Sequence, residues 1–139
     1  MKRNKDSDFD GMKWEMMENG ARRFTRENGD LHLDHLSYLE DGVLFENEGD
    51  VWLSHIMECG EGVVFRNNGS VDLSALERIP EGVLFENFGN VWLYNVKEFG
   101  AGVRFNSQGW IKGECFYRMG IPGVGMKRVL NNMIRSLYE

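Results

Sequence analysis

The sequence predicts a mainly β, single-domain parallel β-solenoid of about five coils of 20 residues. Three observations predict it. Gly29, Gly49, Gly69, Gly89 and Gly109 recur every 20 residues without a slip. The apolar residues between them keep the same period, as in the column Phe45, Phe65, Phe85, Phe105. Within each period those residues are spaced by two, which is strand spacing.

The repeat body covers residues 29–120. Each unit reads G-V-x-F-x-N-x-G-x-V-x-L-x-x-L-x-x-I-x-x. The Val-x-Phe and Val-x-Leu pairs predict two short strands, and Asn-x-Gly between them predicts a turn. The rest of the unit is expected to be one irregular side. Thirteen of the 17 glycines fall in fixed columns, so they mark turns and not linkers. So small a unit cannot bury its own apolar edge and must stack on its neighbours. A meander of hairpins would not set identical residues opposite each other at every rung. A solenoid does, and it predicts ladders of Asn47, Asn67 and Asn87, ended by Ser107, and of the Phe column. An outward column Glu46, Arg66, Glu86 alternates in sign, as stacked charges should.

Residues 1–28 read as an amino-terminal cap with a short strand, Met12-x-Trp14-x-Met16. The strict period sets Arg22, Arg23 and Thr25 in the Gly, Val and Phe columns, with Phe24 one residue early. After Ile121-Pro122-Gly123, the spacing of Met126, Val129, Leu130, Met133, Ile134 and Leu137 predicts an amphipathic helix over 121–139, closing the last rung.

The stretch Leu76-x-x-Ile79-Pro-x-Gly82-Val83-x-Phe85-x-Asn87 resembles short repeats of uncharacterised bacterial and bacteriophage proteins. It is also partly similar to leucine-rich repeats, which makes a short horseshoe the alternative fold. The resemblance covers about residues 29–120 and implies a repeat architecture, with no functional residues to transfer.

Net charge is −6, and residues 40–110 carry 12 acidic groups against 4 basic ones. An acidic rod disfavours direct binding of nucleic acid, which needs cations to replace counterions. No apolar run is long enough to span a membrane, and no apolar leader follows the amino terminus, so a cytoplasmic protein is expected. The expected partner is a protein with a basic surface. Asp41, Glu61 and Glu81 form one acidic column at a coil corner, with Glu40, Glu46, Glu48, Asp50, Glu58 and Glu86 in the same body. As an alternative, such a rod acts as a nucleic-acid mimic inhibiting a host-defence protein, a strategy of bacteriophage inhibitors.

Outward residues of the second strand run, by rung, Asp30, His32, Asp34; Asp50, Trp52, Ser54; Ser70, Asp72, Ser74; Asn90, Trp92, Tyr94; Trp110, Lys112, Glu114. Large aromatics on a solvent face mark an interface. The protein-binding residues are therefore expected to be Trp52, Trp92, Tyr94, Asp72, Asp50, Asp41, Glu61 and Glu81. Carbohydrate stacking on the same face is a further alternative. Leu44, Val64 and Leu84 form an outward apolar stripe suited to a homodimer or to cover by the carboxy-terminal helix.

Catalytic residues, metal and cofactors are not expected. Asp30 and Asp50 would sit about 5 Å apart, as in retaining glycosidases, but any two acids on neighbouring rungs do so. His32, His35 and His55 cluster at one end without a metal-ligand spacing. No phosphate-cradling glycine motif or nucleophile elbow occurs. Cys59 lies in an inward column and is expected to be a buried, inert thiol, while Cys115 is isolated.

Overall fold

A computed structural model describes residues 2–26, 29–107 and 109–113. The helix expected over 121–139 and Cys115 lie outside the described residues.

A 3-10 turn, Asp6–Phe9, precedes fifteen strands: β1 (Trp14–Met16), β2 (Arg22–Arg26), β3 (Leu31–His32), β4 (Tyr38–Leu39), β5 (Leu44–Asn47), β6 (Val51–Trp52), β7 (Glu58–Cys59), β8 (Val64–Asn67), β9 (Val71–Asp72), β10 (Arg78–Ile79), β11 (Leu84–Phe85), β12 (Val91–Trp92), β13 (Glu98–Phe99), β14 (Arg104–Phe105) and β15 (Ile111–Lys112). They form a parallel β-solenoid of about four turns. The first sheet runs β1-β2-β5-β8-β11-β14 and the second β15-β12-β9-β6-β3. From β5 onward the pairing sets each residue against the one 20 positions later, as Phe65 against Phe85 and Val71 against Val91. No strand pair of the coils is antiparallel among the described residues; only the cap strand β1 runs against β2. That excludes a meander, and three strands per turn leave no helical side for a horseshoe.

The side expected to be irregular is a third ladder, of two-residue strands in two pieces, β4-β7 and β10-β13. Proline explains the break. Gly100 N donates to the Ile79 carbonyl at 2.7 Å. One turn earlier that column holds Pro80, which has no N–H to offer Cys59, so β7 and β10 do not join.

The interior is a set of apolar columns. Phe24, Phe45, Phe65, Phe85 and Phe105 stack with ring centroids 5.3, 5.2, 5.2 and 4.8 Å apart. Val43, Val51, Leu53, Ile56 and Cys59, with their equivalents in the next turns, complete the core. The expected Asn ladder is present, and it is buried. Its amides donate to turn carbonyls, as Asn47 Nδ2 to Gly49 O at 3.0 Å and Asn67 Nδ2 to Gly49 O at 3.2 Å. Ser107 ends the ladder by donating to Asn87 Oδ1 at 2.6 Å.

The turn glycines have two different reasons to be glycine. Gly62 has φ +69°, the left-handed region that side chains avoid. The Asn-x-Gly glycines are needed for close approach instead: a Cβ on Gly69 would fall 2.5 Å from the Gly49 carbonyl carbon.

The first coil corrects the strict period. Phe24, not Thr25, pairs with Phe45, an offset of 21. One residue more separates Phe24 from Leu31 than separates Phe45 from Val51. Arg22 consequently enters the inward Val column and is only 2% exposed. Its Nε donates to Glu40 Oε1 at 2.8 Å, its Nη1 to Asp6 and its Nη2 to Asn4 O. The guanidinium also lies over the Phe9 and Trp14 rings. This ion pair, with Phe9 edge-on to Phe24, closes the amino-terminal end of the core.

Candidate functional site

The outer face of the second sheet carries the column His32, Trp52, Asp72, Trp92, Lys112, each residue paired in parallel with the next. Adjacent rungs of a parallel sheet are ~4.8 Å apart, so Trp52 and Trp92 start two rungs, ~10 Å, from each other. Their rings nevertheless lie 5.9 Å apart at 17°. The short Asp72 side chain between them leaves a gap, and the two indoles lean across it into contact. Asp72 Oδ1 is held by Ser74 N at 3.0 Å and by Ser74 Oγ. Trp52 Nε1 is buried without a hydrogen-bond partner. Trp52, Asp72 and Trp92 are half-buried, whereas Tyr94 is 49% exposed.

Two further exposed aromatics are Trp110 (42% exposed), in the neighbouring column just before β15, and Phe88 (64% exposed), in the turn before β12. Phe88 was not evident among the outward strand residues because it sits in the turn. Its signal lay in the column Glu48, Asn68, Phe88, where it alone is apolar.

The acids of the same face have structural duties. Asp30 Oδ1 accepts from Asp50 N at 2.8 Å, and Asp50 Oδ1 from Ser70 N at 2.7 Å. Ser70 Oγ and Asn90 Oδ1 then accept from Asn90 N and Trp110 N. Each side chain of the column thus satisfies the amide one turn on. Asp34 does the same for Ser54, taking both its N and its Oγ. Burial pushes the Asp34 carboxyl up, but these two bonds, with His55 and His32 nearby, outweigh that and hold it below the ordinary value.

The other expected acids lie elsewhere. Asp41, Glu61 and Glu81 line the corner between the third ladder and the first sheet, with Asp41 and Glu61 exposed and Asp41 Oδ1 accepting from Glu61 N at 2.8 Å. The Arg78 guanidinium pairs with Glu81 and holds its carboxyl below the ordinary value. Glu40 does not belong to the acidic surface: it is 3% exposed and paired with Arg22. Glu46 pairs with Arg23 at 2.9 Å, and within the alternating column Arg66 pairs with Glu86 at 3.1 Å.

Leu44, Val64 and Leu84 stack in register on the outer face of the first sheet and are half-buried. His35 Nε2 lies 2.6 Å from Asp8 O and His55 Nδ1 2.9 Å from Asp34 O. No group of three or more His, Cys, Asp or Glu able to hold a metal ion occurs among the described residues. Cys59 is buried, and burial, then the Asp41 charge, pushes its thiol up to about 12. No helix among the described residues is long and apolar enough to cross a membrane. Comparison with protein-family models, curated proteins and solved structures finds no match.

Proposed function

We propose that the chain is a non-enzymatic protein-binding module whose contact surface is the Trp-bearing outer face of the second sheet. One observation carries this reading. Trp52 and Trp92 stack across Asp72 on a backbone fixed on both sides by parallel pairing, beside the exposed Tyr94. Large amphipathic rings already ordered in the free protein lose little entropy on binding, and such residues anchor interfaces. Asp50 and Asp72 on this face, and Asp41 and Glu61 at the corner, steer a partner with a basic surface, whereas Glu81 is paired with Arg78.

The nucleic-acid-mimic reading takes less support, since Glu46, Glu81 and Glu86 are neutralised by arginines of the same chain. The stripe Leu44, Val64, Leu84 is the surface that a homodimer would use.

The test is partner capture by the wild type and by Tyr94→Ala and Trp92→Ala, with the fold checked by circular dichroism. Loss of each ring should weaken capture about tenfold or more at unchanged fold. Capture equal to wild type in both variants refutes the face.

A further inference from the structure

The outer face of the second sheet is divided along the solenoid axis. Its first two turns present Asp30, Asp34 and Asp50, whereas its last two present Trp92, Tyr94 and Trp110. From this division we infer that the face takes an extended peptide segment lying along the axis, with Lys or Arg at one end and apolar side chains at the other. The inference rests on the reading of this face as a protein-binding surface and adds the chemistry and orientation of what it binds.

Four observations fix these terms. The carboxylates are preorganised, because Asp30, Asp34 and Asp50 each accept a backbone N–H from the next turn. Ordered carboxylates at rung spacing favour cationic side chains without first losing their own freedom. The opposite end of the central column is Lys112, paired with Trp92, which repels a cation there and so sets the direction. The stacked pair Trp52–Trp92 spans the middle as one aromatic ridge, which offers apolar side chains a surface and can hold a cation over a π face. Asp30 to Trp110 is four rungs, ~19 Å, which an extended chain covers in about six residues. The segment is therefore short, with about three residues over each half.

The experiment pans a random twelve-residue peptide library against the immobilised chain, then measures affinities of the recovered peptides. The variants are Asp30→Asn with Asp50→Asn, and Tyr94→Ala with or without Trp92→Ala. Each Asn keeps an oxygen for the amide it serves, so the double change removes charge and not the ladder, and Tyr94 is exposed enough to remove without touching the core. Recovered peptides should carry Lys or Arg confined to one half and apolar residues to the other. Their binding should fall about tenfold on loss of the two charges, fall likewise on loss of Tyr94, and weaken with salt. Peptides that need Tyr94 but show no segregation, or that ignore the two Asp changes, overturn the axial inference and leave the binding face standing. Peptides indifferent to Tyr94 and Trp92 as well, or no enrichment over a bare surface, overturn both.

Discussion

Gly69→Ala should destabilise the chain far more than Gly62→Ala, although both are turn glycines of the same repeat. A Cβ on Gly69 would lie 2.2 Å from Asp50 Oδ1, 2.5 Å from Gly49 C and 2.6 Å from Asp50 N. Two of these are backbone atoms of the preceding turn, so relief requires the rungs to part. Parting stretches the bonds Gly69 N to Gly49 O (3.2 Å), Ser70 N to Asp50 Oδ1 (2.7 Å) and Asn67 Nδ2 to Gly49 O (3.2 Å). At ~1 kcal/mol for each, and with ~1 kcal/mol or more of overpacking strain, the loss is about 4 kcal/mol. At Gly62 nothing lies within 4 Å, and the cost is that of a left-handed φ of +69°, about 1–2 kcal/mol. Urea unfolding of both variants, with the slope monitored, reads the difference. Equal losses, or a larger loss at Gly62, would refute the close-packed rungs on which the argument stands.

Three further outcomes follow from the same geometry. Glu40→Ala should cost about 3 kcal/mol or more by leaving the buried Arg22 without its main partner, whereas Arg22→Met with Glu40→Gln should be much milder; additive losses in thermal unfolding would contradict this. Asp34 has a folded-state value below its ordinary 3.8, so its stabilisation is fully present above that value and is lost as pH falls through the folded one. The melting-temperature gap between wild type and Asp34→Ala should therefore shrink from about pH 7 to about pH 2, and a constant gap would count against it. Cys59, buried with its thiol raised to about 12, should resist alkylation in the native chain at neutral pH and react once unfolded, as peptide-level mass spectrometry would show.

The period of 20 was legible because each turn must repeat one set of inward side chains to continue the same columns. That carried the Phe and Asn ladders and both main sheets into view. Phe24 stood out only as one residue early, since a fixed period sets Thr25 in the Phe column and cannot see one extra residue before Leu31. The third ladder escaped because its inward positions, such as Leu36 and Leu39, are spaced by three, which is not strand spacing, and its strands have only two residues. Glu40 was readable in principle: it is the charged member of a column otherwise made of Gly60, Pro80 and Gly100, all buried. Of the candidate site, the sequence put Trp52 and Trp92 on one line. Contact between them depends on how far two side chains lean over Asp72, and register does not encode that.

Engineered disulfides test the stacking most directly. Glu46 and Arg66 are outward partners on adjacent strands, so Glu46→Cys with Arg66→Cys places two Cα atoms ~5 Å apart, within bridging range. Glu46→Cys with Val64→Cys displaces them by two residues to ~8 Å, beyond it. The account predicts rapid oxidation of the first pair and none of the second; bridging of the second in preference to the first would contradict it.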